Sequence, residues 1–219
     1  EDKMFGLYNT ASAMSFKDAD KQLMKWYERE LKKWDLSDAN VYISLNSLNS
    51  ACYARTQKDR FLNNVKSSTS DSDVEGYEWL MVDVDPKRPS DTSSSDEELE
   101  IAKEIGNKVF AFMRQIGFEK PLFALSGNGV HLLYRICLKN TTERKAQLEM
   151  CLKTLSRLFS IPGVAEIDEK NFNPSRVCKL YGTRSAKGSD TAERPHRMSE
   201  IVGSPTEIKV TDAKYVEKL

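Results

Sequence analysis

The chain has 219 residues, with 33 Lys+Arg against 33 Asp+Glu and a formal net charge of zero, so net charge alone points to no partner. Hydrophobic residues make up 39% and charged residues 30%, the balance of a chain that buries a core and not of a disordered one. No apolar run has the length to cross a bilayer and no signal-peptide pattern opens the sequence, so no membrane partner is expected.

Phe16 to Trp34 carries Phe16, Leu23, Tyr27, Leu31 and Trp34 at helical spacing and is expected to form an amphipathic helix. A short strand over 41–46 and a helix over 51–65 follow, then polar residues 67–73. The run Tyr77 to Val82 reads as a buried strand that ends in Asp83-Val84-Asp85. After a loop over 86–96, a helix is expected to begin near Asp96, where acidic residues suit a helix N-terminus. It carries Leu99, Ala102, Ile105, Val109, Phe112 and Met113 and stops near Gly117. Strands over 121–126 and 130–138 are joined by Gly127-Asn128-Gly129, residues that accept the positive φ of a tight hairpin. A helix from Thr141 or Thr142 to about Phe159 is broken by Pro162-Gly163, and 164–168 is the next strand. Residues 176–181 and 197–202 read as further strands and 212–219 as a last helix.

From Trp79 to Asp168 the order is β-α-β-β-α-β, the split βαβ arrangement of ferredoxin-like and RRM-like domains, with the first strand between the third and fourth. The expected fold class is mixed α/β (α+β). An RRM-like half over 76–170 packs on an N-terminal α/β part over 1–75, and a basic C-terminal part over 171–219 completes one domain. The four cysteines, Cys52, Cys137, Cys151 and Cys178, form no C-x-x-C pair. Neither a zinc site nor a disulfide framework is expected, and a reducing, cytoplasmic setting follows. The chain starts at Glu1 and not at Met, as expected of a piece of something longer.

Asp83 and Asp85 are two apart on a strand and so project to the same face. Two like charges that close repel, and a divalent cation neutralises both; Mg²⁺ takes one or two protein carboxylates and fills its other positions with water and phosphate oxygens. The plainer alternative is a solvated turn closed by Pro86. Asp168, on the fourth strand, supplies a third carboxylate, enough to hold two metal ions. Alternation alone does not choose it over Glu166, and Glu169 is also near. Ser126, Gly127, Asn128 and Gly129 form no Walker A loop, but backbone N–H groups there and the Ser126 hydroxyl can approach phosphate. His131 is either a nucleotide contact or a satisfied histidine within the hairpin. Arg176 and Lys179 suit phosphate, the first bidentately and the second as a point charge. With Arg184, Lys187, Arg194, His196 and Arg197 they make a basic stripe, which on a neutral protein marks either a phosphate site or a merely solvated segment.

Taken together, DVDPKRP at 83–89, SGNGVHLLYR at 126–135 and VAEIDEKNFNPSRVCKLYGTRSAKGSDTAERPHR at 164–197 resemble the primase-polymerases of the archaeo-eukaryotic primase superfamily. The branch of phages, plasmids and mobile elements is the most similar, and residues 41–55 are similar to an Asn-rich segment that precedes its first motif. The resemblance covers roughly 40–200 and settles the choice of Asp168 over its acidic neighbours. It implies that Asp83, Asp85 and Asp168 bind two divalent ions, Mg²⁺ or Mn²⁺, and that Ser126, Gly127, Asn128, His131, Arg176 and Lys179 bind the nucleotide. Arg184, Lys187, His196 and Arg197 are implied weakly as nucleic-acid contacts.

The implied activity is DNA-template-directed nucleotidyl transfer of an NTP or dNTP to a 3′-hydroxyl, with pyrophosphate released, for priming DNA replication. Its partners are single-stranded DNA template, nucleotide, primer and a replicative helicase acting in trans or in a C-terminal region outside this chain. Two departures from the family stand out: there are no zinc-knuckle cysteines and no Walker A motif. The competing readings are a polymerase that only extends primers or fills gaps, and a non-catalytic RRM-like binding module. A replication-initiator nuclease needs paired metal-binding histidines, which the lone His131 does not supply.

Overall fold

A computed structural model describes residues 39–55 and 69–219. The helix expected over 16–34 and most of the one expected over 51–65 lie outside them, and Ser50–Arg55 forms a 3-10 turn.

The sequence between 76 and 167 folds in the expected order: β2 (Gly76–Pro86), α1 (Asp96–Ile116), β3 (Leu122–Leu125), β4 (Val130–Lys139), α2 (Thr142–Phe159) and β5 (Ala165–Ile167). Before it lies β1 (Tyr42–Ser44). After it come β6 (Val177–Lys179), β7 (Arg184–Ser185), β8 (Arg197–Met198), β9 (Glu200–Gly203) and α3 (Ala213–Lys218). The main sheet has five strands in the order β5-β2-β4-β3-β9, every pair antiparallel. The strand bearing Asp83 and Asp85 thus lies between β4 and β5, as expected. The fold is mixed α/β with antiparallel sheets.

Two corrections concern the end of the chain. The strand expected over 197–202 is broken at the buried Ser199, whose hydroxyl donates to Leu180 O (3.1 Å) and Thr183 O (2.7 Å). The residues before it pair with β7, and those after it form the edge strand β9. The strand expected over 176–181 shortens to β6 and pairs with β1, Tyr42 facing Lys179, in a separate two-stranded sheet.

Local chemistry accounts for both long helices. Ser95 and Glu98 form a capping box at the start of α1: the Ser95 hydroxyl accepts from Glu98 N, and Ser95 N donates back to the Glu98 carboxylate at 2.9 Å. Thr141 caps α2 by accepting from Arg144 N. On α1, Leu99, Ala102, Ile105, Val109 and Met113 recur at helical spacing and are buried. With Leu148, Cys151, Leu152 and Leu155 of α2, the residues Ala102, Ile105, Val109 and Met113 cover one sheet face, lined by Leu80, Val82 and Val84 of β2 and by Val130, Leu132 and Tyr134 of β4. Strand alternation sends Met81 to the opposite face, where it packs with Leu133, Leu45 and Cys178 in a second, smaller core. Among the described residues no helix is long and apolar enough to cross a membrane.

Candidate active site

Val82 and Val84 are fully buried beneath the helices, so Asp83 and Asp85 project from the other face, beside the small core. In the ladder Asp83 sits opposite His131 of β4, and Asp85 opposite Glu166 of β5. The amide of Asp168 donates to Asp83 O at 2.9 Å, carrying the β2–β5 pairing one residue further. Asp168, Asp83 and His131 therefore form one row across three strands, as the sequence placed them. The Asp83 side chain is 16% exposed and that of Asp85 46%, so Asp83 is the deeper member of the pair.

His131 Nε2 lies 3.4 Å from Asp83 Oδ1. Burial favours the neutral ring, but the charge of Asp83 and its contact with the imidazole outweigh this and push the pKa of His131 up to about 10. Burial likewise opposes ionisation of Asp83. The imidazolium, Arg176 and the amide of Asn171 prevail, and hold it below the usual carboxylate range. The imidazolium has a second N–H, at Nδ1, for the Tyr181 hydroxyl at 2.8 Å, and Tyr181 lies 3.3 Å from Cys178 Sγ. His131 is thus packed on three sides; it anchors Asp83, and its ring nitrogens are turned to the protein.

Asp85 behaves oppositely. Burial and then the charge of Asp83 raise its pKa, against Arg88 and Lys187. Arg88, which the sequence reading left unassigned, lies 3.3 Å from Asp85 Oδ1 and donates to Pro86 O and Thr92 O, so that it also closes the loop after β2. Gly129 lets the hairpin approach: a Cβ there would lie 2.4 Å from Val84 O and 2.8 Å from Asp85 Oδ1.

Asp168 is in the row, but its carboxylate is engaged elsewhere. One oxygen accepts from Arg176 Nη2 at 2.8 Å and the other from Lys170 N at 2.8 Å. Among the described residues no group of three or more His, Cys, Asp or Glu side chains stands close enough to hold a metal ion. The expected three-carboxylate cluster is accordingly reduced to the pair Asp83 and Asp85, because the nearest guanidinium takes the third. That pair still suits a hard divalent cation. Both are oxygen donors on one face, Asp83 Oδ1 is buried without a hydrogen bond, and the charge of Asp85 is only partly offset.

The other expected contacts divide. Ser126 closes the hairpin: its hydroxyl accepts from Gly129 N at 3.0 Å and its amide donates to Gly129 O. Only Gly127 of that turn takes positive φ, at 99°. Asn128 is buried and ties the turn to two loops, accepting from Ser94 N and donating to Ser185 Oγ. Lys179 is buried away from the carboxylates, donating to Arg184 O (2.7 Å) and Asn40 Oδ1 (3.3 Å), and burial lowers its pKa to about 8. The basic stripe is largely spent within the protein. Arg184 pairs with Asp190, Arg197 with Asp96 at 2.6 Å and Arg194 with Glu98 at 2.7 Å. The ring of His196 meets Gly188 O at 2.9 Å. Lys187 is exposed and near enough to Asp85 to favour its ionised form.

No family model matches the chain, and no curated protein sequence matches it. Among solved structures it is similar to the AEP domain of the cyanophage S-2L primase-polymerase (PrimPol). The TM-score is 0.43 and the identity 14%, over 91% of this chain and 96% of that one.

Proposed function

We propose that the chain is a metal-dependent nucleotidyltransferase, a DNA-template-directed primase-polymerase with an RRM-like catalytic half, acting with Mg²⁺ or Mn²⁺. The observation that carries this reading is the pair of carboxylates at the end of β2, one kept ionised by His131 and one poorly compensated, with Asp83 Oδ1 buried and lacking a hydrogen bond. The motifs at 83–89, 126–135 and 164–197 support it independently.

A divalent cation, when bound, supplies Lewis acidity that lowers the pKa of the attacking 3′-hydroxyl and offsets charge at the α-phosphate. The rest belongs to the chain. His131 fixes the rotamer and charge of Asp83 from within the protein. Arg176 and Lys187 supply positive charge at the two ends of the carboxylate row for a triphosphate. Polyphosphate oxygens compete with Asp168 for Arg176, so nucleotide binding releases the third carboxylate toward Asp83. The 3′-hydroxyl gives up its proton to water, its oxygen attacks the α-phosphorus, the bond to the α–β bridging oxygen breaks, and pyrophosphate leaves in line. Single-stranded DNA template and a helicase in trans complete the proposed setting, the priming of DNA replication.

The test is incorporation on single-stranded DNA, with and without primer, in Mg²⁺ or Mn²⁺, beside Asp83→Ala/Asp85→Ala and the milder Asp85→Asn. Primer-free product that both variants lack is the expected result; product only with primer reduces the activity to extension. The Asp168–Arg176 pair favours one other reading, a non-catalytic nucleic-acid-binding module in which two carboxylates are surface charges. Absence of product, with DNA binding that is indifferent to Asp85→Asn, would establish that module instead.

A further inference from the structure

Asn171 is 4% exposed, and neither its Nδ2 nor its Oδ1 has a hydrogen-bond partner. Buried amides are nearly always satisfied, so one that uses none of its capacity calls for an explanation. Its position supplies one. The turn after β5 is set by Asp168, whose Oδ1 accepts from Lys170 N, and Phe172 anchors the next residue against the main core. Asn171, held between these two points, is turned toward Asp83. It helps hold that carboxylate ionised, although neither amide atom reaches hydrogen-bond geometry with it. Asp83 Oδ1 is also buried and without a hydrogen bond. The two unsatisfied amide atoms thus lie beside Asp83, whose buried Oδ1 has only the ion pair with the His131 ring at 3.4 Å. Bulky apolar groups do not satisfy them. A hydrated divalent cation does: a hard ion accepts carboxylate and amide oxygens together, and its waters take the remaining contacts.

We propose that Asn171 is a member of the cation-binding set, its side-chain oxygen serving the ion held by Asp83 and Asp85, directly or through one water, at the position that Asp168 leaves when it pairs with Arg176. The inference rests on the metal-dependent reading above and refines it. A neutral ligand lowers the negative charge of the site by one relative to three carboxylates. Such a site holds its ion less tightly before nucleotide arrives and admits the triphosphate with less repulsion.

Mn²⁺ binding to the full chain, read by the loss of the free-ion signal in electron paramagnetic resonance, tests this without any turnover. Asn171→Leu keeps the branched outline and heavy-atom count and removes the oxygen; Asn171→Asp keeps an oxygen in place. Leu is expected to weaken Mn²⁺ binding by about 10–100-fold, whereas Asp retains binding at least as tight as the unaltered chain. Wild-type affinity in Asn171→Leu overturns the inference, and so does equal loss in both variants, which assigns Asn171 to the shape of the turn. Asp83→Asn separates the two readings. If it abolishes Mn²⁺ binding while Asn171→Leu does not, the metal site stands and Asn171 leaves it. If the unaltered chain binds no Mn²⁺, both readings fall.

Discussion

Replacing His131 by Leu leaves Asp83 as a charge 16% exposed with its nearest cation gone, and the structure sets the size of the effect. The rise of the His131 pKa from 6.5 to about 10 bounds the pair at roughly 5 kcal/mol, at ~1.4 kcal/mol per pH unit. Removing one member of a buried ion pair costs about 3–5 kcal/mol in other proteins, which agrees. The pH dependence has a definite sign. Between pH 6.5 and about 10 the folded chain keeps a proton on His131 that the unfolded chain has lost, so the stability due to the pair falls with rising pH. It is fully present below 6.5, and persists on acidification until the pH drops below 3.8, because the pKa of Asp83 is lowered.

Wild type alone will not show this cleanly, since Lys179 titrates in the opposite sense over an overlapping range. A double-mutant cycle of His131→Leu and Asp83→Asn, measured by urea unfolding in EDTA at pH 6.5 and 9.5, cancels that background. The expected interaction energy is about 3–5 kcal/mol at pH 6.5, falling by about 3 kcal/mol at pH 9.5. An interaction below about 0.5 kcal/mol, or one that is the same at both pH values, refutes the assignment of His131 as the counter-ion of Asp83.

Lys179→Met gives the complementary result: burial depresses this amine from 10.5 to about 8, so wild type gains stability relative to the variant as pH rises from 8 to 10.5, the His131 contribution being common to both. Urea unfolding at those two pH values decides it, and parallel changes in both proteins would refute it. Gly129→Ala forces a Cβ to within 2.4 Å of Val84 O and 2.8 Å of Asp85 Oδ1. A loss of about 1–3 kcal/mol is expected, with weaker Mn²⁺ binding because the carboxylate is displaced; unaltered Mn²⁺ affinity would show that the hairpin does not position Asp85.

The elements that were legible in advance are those whose signal is local. The acidic residues near Asp96, the apolar spacing from Leu99 to Met113 and the alternation through Val82 and Val84 each express a short-range preference that packing reinforces. Adjacency of β2, β4 and β5 followed from the order of elements, and with it the row Asp168, Asp83, His131. The segment after Asp168 was less legible because its strands are two to four residues long and depend on distant partners. Nothing local to 197–202 marks Ser199 as a buried donor to Leu180 and Thr183, and that contact is what divides β8 from β9.

Charge was read least well, for a related reason. In sequence, the acidic residues near Asp96 suit a helix N-terminus, and the basic residues from Arg184 to Arg197 suit either phosphate or solvent. In the fold these are two halves of one contact: Arg197 reaches Asp96 and Arg194 reaches Glu98, each about a hundred residues back along the chain. A charge is free to grip a ligand only when no partner of its own chain lies nearer, and sequence spacing does not report on partners that remote. The same physics redistributes the candidate site. Arg176, expected on phosphate, takes Asp168, expected on metal, and the two charges offset one another. Asn171 escaped notice because an amide in a polar run carries no charge, motif or periodicity. It stands out only as a buried group whose hydrogen-bonding capacity is unused. Where charged side chains neutralise one another within the fold, the unsatisfied neutral group beside them is the better indicator of where a ligand must sit.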